Sequence, residues 1–288
     1  MPRLRLAKLI AQRGVSSRRG AEDLIRAGEV RVNDELVTEV ATLVDPEEDR
    51  IKVEGRGLPP EPKRLYYVMY KPKGMLVGRD EKGRPSVLDV LDDLNLKVEP
   101  VGRLDFNSEG ALLLTNDGEL GHQLVRKATA VPQRYMAKVY RTPSEGDLNA
   151  IAHGVVTPEG RLRPAKARVV STTADANAWV EITTTESGPR VVQRILSQLG
   201  HPVSKLRRES YATVSIRGME RAQIRVLTGQ EISRLQDLAA GVAAHRAGRD
   251  WRKKGFAKPK PKARRPGTKR KSTDPTKRVD GPPDRVKR

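Results

Sequence analysis

The sequence predicts an α+β protein whose larger domain contains a mixed, mainly antiparallel sheet. Strand-like segments outnumber helix-like ones, and many neighbouring strands are close enough along the chain to pair as antiparallel hairpins. A proline-rich stretch over 56–63 reads as a stiff linker between a small α-hairpin and β domain at 1–58 and a larger domain at 64–243. Residues 244–288 consist largely of Lys, Arg, Pro and Gly, which predicts a disordered basic tail.

Two helices are predicted at the start of the small domain. Apolar residues recur at helical spacing from Leu4 to Ala11, and Gly14 is placed to end this helix. Ser16 or Ser17 can cap a second helix, which then ends at Gly28.

Residues 30–37 alternate as two short strands around an Asn-Asp turn, which completes a helix–helix–hairpin order. With the segments Gly14-Val-Ser-Ser-Arg-Arg19 and Gly28-Glu-Val-Arg-Val-Asn33, this order resembles the RNA-binding domain named after ribosomal protein S4 (the S4 domain). The resemblance implies that the helices and the hairpin face structured RNA. The implied RNA contacts are Lys8, Arg13, Ser17, Arg18, Arg19, Arg31 and Asn33. The alternative is a helical hairpin that only packs on the next domain.

The larger domain alternates further strands with short helices. Its first strand candidate is Leu65–Tyr70, which ends in the turn Lys71-Pro-Lys-Gly74, and Ser86 can cap a short helix over 87–91. Longer helices are predicted over 119–127 and 191–199. Later strands are predicted over 134–140, 166–171, 178–185 and 203–216.

One carboxylate lies between an arginine and an apolar run in the stretch Val101-Gly-Arg-Leu-Asp105-Phe-Asn-Ser-Glu-Gly110-Ala-Leu-Leu-Leu-Thr-Asn-Asp-Gly118. The apolar run predicts a buried strand, and the segment between Asp105 and Gly110 is rich in turn residues. A loop carboxylate beside a cation and against a rigid strand is well placed to be a reactive group. The common alternative is an aspartate that only caps a turn.

From Gly102 to Gly118 this stretch resembles the active-site motif of the RsuA-type pseudouridine synthases, apart from Ala111 where Leu is usual. The resemblance implies that Asp105 is the catalytic aspartate of an enzyme that isomerises a uridine of ribosomal RNA to pseudouridine. It also implies that Tyr135 contacts the target base, the alternative being a tyrosine that only fills the core. Arg103, two residues before Asp105, is a candidate RNA contact that could hold a phosphate or fill the space left by the base, and the alternative is a structural pair with a nearby acid. This isomerisation is redox-neutral and needs no cofactor, and a carboxylate can act in it as nucleophile or as stabiliser of positive charge on the sugar. The target base must leave its stack to react.

Gln193 departs from the family pattern, in which a basic residue at this place is expected to neutralise the catalytic aspartate. A buried carboxylate without a nearby cation is difficult to keep ionised. Arg194 lies about 100° further around a helix, whereas Arg190 lies three residues earlier on the same helical face. We therefore expect Arg190 to supply the missing charge, and Arg194 to contact RNA.

Two further positions differ from the family pattern. Ala212 replaces a usual glycine, and Ile224 stands where Trp is frequent. These differences indicate a divergent branch of the family and bear on the position of the target uridine more than on the reaction.

A net charge of +20 indicates a polyanionic partner, of which nucleic acid is the commonest. Residues 251–288 hold 16 Lys or Arg and 3 Asp, so the tail either binds RNA phosphates or only aids solubility. The lack of cysteine excludes disulfides and Cys-ligated zinc, and the four histidines lie far apart. The sequence shows neither an apolar run long enough for a membrane span nor a secretory signal, so we expect a cytoplasmic protein with no metal and no membrane partner.

Three functions are compatible with the sequence. The leading hypothesis is a monomeric ribosomal RNA pseudouridine synthase, for which the basic tail favours large-subunit over small-subunit RNA by analogy with relatives. The second is an inactive descendant that binds ribosomal RNA and assists ribosome assembly, and Gln193 is its support. A glycoside hydrolase that uses Asp105 and Glu109 is the weakest, because no acid-and-nucleophile framework surrounds these carboxylates.

Overall fold

The computed structural model describes residues 3–79, 82–126, 129–163, 165–173 and 176–241. The predicted disordered tail at 244–288 lies outside the described residues. Helices and strands are mixed along the chain in an α+β arrangement, as predicted. No helix in the described ranges is long and apolar enough to cross a membrane.

The N-terminal part contains the two predicted helices, α1 (Leu6–Gln12) and α2 (Arg18–Arg26). Ser17 caps α2, because its hydroxyl accepts a hydrogen bond from the backbone N–H of Gly20. Strand β1 (Leu4–Arg5), which was predicted as helix, instead pairs with β4 (Leu43–Val44).

A four-stranded antiparallel sheet follows the two helices. Its order is β3 (Glu35–Leu36), β2 (Val30–Val32), β5 (Ile51–Val53) and β6 (Arg56–Gly57). The prediction that the linker begins at residue 56 is wrong, because Glu54 and Gly55 adopt positive φ angles and turn the chain back onto β5. The apolar faces of the helices and strands form one core, built from Leu6, Ala7, Leu9, Ile10, Ala21, Ile25, Val30, Val44, Ile51 and Val53.

A nine-stranded sheet forms the larger part. Its main path runs β13 (Lys166–Thr172), β14 (Ala178–Thr184), β10 (Gln133–Val139), β15 (Val203–Tyr211), β9 (Glu109–Thr115), β7 (Tyr66–Lys71) and β17 (Ile224–Val226). Two short strands extend it, β8 (Glu99–Pro100) beside β9 and β16 (Val214–Ser215) beside β15. Within the described residues only β9 and β15 pair in parallel, which confirms the predicted mixed, mainly antiparallel sheet. A separate hairpin consists of β11 (Val156–Thr157) and β12 (Gly160–Arg161).

Helices cover both halves of this sheet. They are α3 (Val87–Asp93), α4 (Gly118–Val125), α5 (Glu145–His153), α6 (Val191–Gln198) and α7 (Gly229–Ala239). Helices α5 and α6 share a core with β10 and β14, whereas α4 and α7 share one with β7 and β9. Helix α3 packs on the opposite face of β7 and β9. Strand β9 is therefore buried on both faces, which explains its continuous run of apolar residues.

The other predicted elements agree with the structure except at one turn and at the end of the helix predicted over 119–127. Helix α4 ends at Val125, and residue 127 lies outside the described residues. The strand predicted over 203–216 is two strands, β15 and β16, because Ala212 adopts a left-handed φ of 53° and reverses the chain. This backbone conformation is costly for any residue with a Cβ atom. It gives a physical reason for a glycine preference at position 212.

The two halves of the sheet meet where β9 and β15 pair in parallel over two residues. There Gly110 lies opposite Arg208, and its φ of 122° belongs to the region that glycine favours. A Cβ atom on Gly110 would lie 2.2 Å from the carbonyl oxygen of Arg208. Only glycine allows this close approach of the strands. We call this place the sheet junction, and the loop that carries Asp105 leads directly into it.

Candidate active site

Backbone hydrogen bonds fix the loop of Asp105 to the sheet. Before Asp105, the N–H of Val101 donates to the carbonyl of Leu113 in β9 at 2.8 Å. After it, the N–H of Ser108 donates to the carbonyl of Asp105 at 3.0 Å and closes a turn. The carbonyl of Phe106 accepts from the N–H of Gly74, which anchors the loop to the turn after β7. Asp105 is half-buried in this rigid loop.

Two neighbouring cavities share Asp105 as part of their walls. The first has a volume of about 360 Å³, and its other walls include Tyr135, Val192, Arg208 and Tyr211. The second has a volume of about 430 Å³, and Lys73, Phe106 and Ser204 are among its walls. The residues common to both cavities are Asp105, Ser108, Arg190, Gln193 and Leu206.

Gln193 contacts the Asp105 carboxylate directly. Its side-chain nitrogen Nε2 donates a hydrogen bond to Asp105 Oδ2 at 3.1 Å. Helix α6 begins at Val191, so Gln193 lies in its first turn and points at the loop. The position at which a basic residue was expected is thus occupied by a neutral donor.

Arg190 and Arg194, the two cations flanking Gln193, have different surroundings. Arg190 is exposed and lines both cavities, and its side chain has no bonded partner in the part of the chain that the structure describes. Arg194 donates to Glu159 at 3.0 Å and to Thr157 at 2.9 Å, and it lines neither cavity. The roles predicted for the two arginines therefore stay predictions. Of these two residues, only Arg190 lines the cavities that Asp105 lines.

Tyr135 and Arg103, both predicted site residues, line the first cavity. The hydroxyl of Tyr135 donates to Gln133 Oε1 at 2.8 Å, and the same oxygen accepts from Arg208 Nη1 at 3.0 Å. Arg103 has an exposed side chain, and its carbonyl accepts from Arg208 Nη1 at 3.3 Å. One buried guanidinium thus connects the strand of Tyr135 with the loop of Asp105.

Arg208 is one of two buried cations at the sheet junction that the sequence did not single out. Its side chain is 2% exposed, its Nε donates to the carbonyl of Ala111 at 2.7 Å, and its guanidinium lies 5.0 Å from the ring centre of Tyr211. Burial raises the pKa of Tyr211 to about 12, so its hydroxyl stays protonated. A charged residue inside a strand gives no local signal that it is buried.

Lys71, the last residue of β7, is the second buried cation, with no exposed surface. Its ammonium donates to the carbonyls of Pro72 and Ser108 at 2.9 Å each. Burial lowers the pKa of Lys71 to about 8, and the nearby charge of Arg208 acts in the same direction. The negative charges of Asp105 and Glu109 oppose this effect. The sequence placed Lys71 in a turn motif, and its charge at the end of an apolar strand was the available signal.

The predicted RNA contacts of the small domain divide into exposed residues and residues with internal bonds. Arg18 and Arg19 are exposed, and Lys8 is half-buried. The side chains of Arg13 and Arg31 donate to backbone carbonyls, Ser17 caps α2, and Asn33 bonds to Asp49 and to the N–H of Arg50. His, Asp and Glu residues form no group that could hold a metal ion within the described ranges.

Comparisons with known proteins agree with this architecture. Residues 65–228 match the family model for RNA pseudouridylate synthase, and residues 4–51 match the model for the S4 domain. Ribosomal large subunit pseudouridine synthase B of Bacillus subtilis (strain 168) is 38% identical over 237 residues, which cover 82% of this chain and 96% of that protein. An uncharacterized RNA pseudouridine synthase of Aquifex aeolicus (strain VF5) is 34% identical over 237 residues, which cover 82% and 94%.

A solved structure described as the crystal structure of pseudouridylate synthase has a similar fold. The TM-score is 0.58 at 28% sequence identity, and the match covers 81% of this chain and 99% of that one. Family model, relatives and fold therefore agree over both folded parts. The chain belongs to the RNA pseudouridylate synthase family, as an RsuA-type enzyme with an N-terminal S4 domain.

Proposed function

We propose that this enzyme isomerises a specific uridine of ribosomal RNA to pseudouridine, with Asp105 as the catalytic carboxylate acting on a flipped-out base. The observation that carries the proposal is the position of Asp105 in the wall of a cavity that also contains Tyr135 and a buried cation, Arg208. The Bacillus subtilis relative is named a ribosomal large subunit enzyme, which favours large-subunit over small-subunit RNA as the substrate. We expect the enzyme to act in the cytoplasm as a monomer.

The first cavity suits a base that has left its stack. Its volume of about 360 Å³ lies within the range of small-ligand sites. Tyr135 provides aromatic surface on which a base can stack, and Leu104 and Val192 provide apolar walls. Unstacking a base costs a few kcal/mol, which such contacts can offset.

One oxygen of the Asp105 carboxylate is available for the substrate. Gln193 binds the Oδ2 oxygen, whereas Oδ1 has no hydrogen-bond partner within the described chain. In the reaction the bond from N1 of uracil to C1′ of ribose breaks, the base rotates and C5 bonds to C1′. The proton lost from C5 is balanced by a proton taken up at N1. A carboxylate can assist as a nucleophile at C1′ or by stabilising positive charge on the sugar, and no cofactor is required.

Arg190 is proposed as a second cation for this site. It lines both cavities, and its exposed side chain would have to rotate toward Asp105 or toward an RNA phosphate. An Arg190→Ala variant should lose activity more than Arg194→Ala, because Arg194 is bonded to Glu159 away from the cavities. The reverse order of effects would contradict this role.

Mapping of pseudouridine in ribosomal RNA tests the proposal. Cells that lack this protein are complemented with wild type, Asp105→Asn or Asp93→Asn, the last being the same chemical change on an exposed residue of α3. We expect one site to disappear and to return with wild type and Asp93→Asn but not with Asp105→Asn. Return of the site with Asp105→Asn would refute the role of Asp105. Persistence of every site would favour the alternative, an inactive ribosome assembly factor.

A further inference from the structure

The side-chain oxygen of Gln133 lies between two hydrogen-bond donors in the wall of the first cavity. The hydroxyl of Tyr135 donates to Gln133 Oε1 at 2.8 Å, and Arg208 Nη1 donates to the same oxygen at 3.0 Å. Gln133 and Arg208 are buried, Tyr135 is half-buried, and all three line the cavity. They form a hydrogen-bonded chain that runs from Arg208 through Gln133 to Tyr135.

Arg208 determines which end of the Gln133 amide faces Tyr135. A guanidinium carries donors only, so the Gln133 atom that binds Arg208 has to be the amide oxygen. A reversed amide would place donor against donor, and Arg208 Nη2 already lacks a hydrogen-bond partner within the described residues. Arg208 is itself held in place, because its Nε donates to the carbonyl of Ala111 at 2.7 Å and its guanidinium lies over Tyr211. The orientation of the amide is therefore fixed from the core.

The hydroxyl of Tyr135 is consequently committed to one hydrogen-bonding direction. It has a single proton, which it donates to Gln133. The lone pairs of the hydroxyl oxygen remain, and these can only accept. A substrate group that meets this oxygen must therefore be a donor. Uridine has two such groups, the N3–H of the base and the 2′-hydroxyl of the ribose.

Resting on the proposed function, we infer that Gln133 and Arg208 are positioning residues that make the Tyr135 hydroxyl a hydrogen-bond acceptor for the target nucleoside. In this role both act through Tyr135. An acceptor at this place selects for the nucleoside, because N3 carries a proton in uracil but is an acceptor in cytosine, and because the 2′-hydroxyl distinguishes RNA from DNA. Tyr135 thus contributes hydrogen-bond specificity as well as aromatic surface.

Equilibrium binding of the full chain to a ribosomal RNA fragment that contains the mapped uridine tests the inference. Every protein in the series also carries Asp105→Asn, so that the bound uridine is not converted. The target position of the fragment holds uridine, 2′-deoxyuridine or N3-methyluridine. We expect Tyr135→Phe to weaken binding of the uridine fragment roughly 3- to 10-fold, the size of one neutral hydrogen bond. It should have no effect on the fragment that lacks the interacting donor, and that fragment identifies the donor.

The same measurement in two variants of Gln133 tests its positioning role. Gln133→Glu keeps an acceptor toward Tyr135 and Arg208 and should preserve the effect of Tyr135→Phe on the uridine fragment. Gln133→Met has a similar shape but no such acceptor, so the hydroxyl proton is free to turn, and the effect of Tyr135→Phe should fall below about twofold. The control Gln236→Met changes an exposed glutamine of α7 outside both cavities and should leave the effect at its full size.

A purely structural role of Gln133 gives a different result. Gln133→Met would then weaken binding of every fragment by one factor and leave the effect of Tyr135→Phe intact, which would overturn the inference. Equal effects of Tyr135→Phe on all three fragments, or no effect on any, would overturn it as well. If Gln133→Met does not fold, Gln133→Glu decides, and loss of the Tyr135→Phe effect in that variant contradicts the role. Persistence of every pseudouridine in the mapping experiment would instead overturn the proposed function together with this inference.

Discussion

Burial of the Lys71 ammonium should make the folding stability depend on pH in a defined direction. The perturbation is Lys71→Met, which keeps an unbranched side chain of similar length and removes the charge. In the unfolded chain Lys71 has its ordinary pKa of 10.5, whereas in the folded chain the pKa is about 8. Between these values the unfolded chain binds a proton that the folded chain does not. Stability contributed at this position therefore rises with pH across this window.

The expected size follows from the difference between the two pKa values. Each unit of pKa corresponds to about 1.4 kcal/mol, so the full difference is worth about 3 kcal/mol. Below pH 8 the charged ammonium destabilises the folded chain by this amount relative to a neutral group. The free energy of unfolding of wild type, minus that of Lys71→Met, should thus increase by about 3 kcal/mol between neutral pH and pH 10.5.

Urea denaturation of both proteins at a series of pH values measures this difference. Trp179 in β14 provides a fluorescence signal from the larger sheet. Because the two proteins share every other titrating group, subtraction leaves the contribution of Lys71. A difference that stays constant from neutral to alkaline pH would refute the reasoning. It would mean that the ammonium is fully compensated in the folded chain.

Three further predictions concern the sheet junction, the β15–β16 turn and the tail. Gly110→Ala should destabilise the fold by roughly 3–5 kcal/mol in thermal or urea unfolding, because the new Cβ atom would meet the backbone of Arg208. The control Gly118→Ala adds a Cβ atom in open space and should be neutral or slightly stabilising. Ala212→Gly should raise the free energy of unfolding by about 0.5–1 kcal/mol by relieving its left-handed φ, and a loss of stability would contradict this. Deleting 251–288 should weaken RNA binding and reduce its salt dependence; equal slopes of log affinity against log salt would exclude a phosphate-binding tail.

Local patterns were sufficient wherever neighbouring residues determine the structure. The cap at Ser17, the two helices of the small domain and the apolar run of β9 all follow from spacing and residue type. Strand β1 could not be predicted, because Leu4–Arg5 forms a strand only through its pairing with Leu43–Val44 far along the chain. Nothing in the local sequence distinguishes these two residues from the helix that follows them.

The charge distribution around Asp105 was predictable in part only. Sequence spacing placed Arg190 on the same helical face as Gln193. Helix α6, however, begins at Val191, one residue after Arg190, and Arg190 itself has a left-handed backbone conformation. Helical spacing therefore does not apply to Arg190. Lys71 was missed because its burial depends on carbonyls of the turn after β7 and of the Asp105 loop. Such acceptors come together only in the folded chain, and a sequence pattern cannot reveal them.

Gln193 therefore does not by itself point to an inactive protein. A guanidinium at that position would supply both direction and charge to the carboxylate, and it would do so at any physiological pH because arginine does not lose its proton. An amide supplies direction only, so the charge has to come from elsewhere in the core. Two buried cations lie near the loop of Asp105: Lys71 donates to the carbonyl of Ser108, and Arg208 lies in the wall of the same cavity as Asp105. The neutral residue at position 193 therefore leaves the other parts of the site in place, with Asp105, Tyr135 and Arg208 in the wall of one cavity.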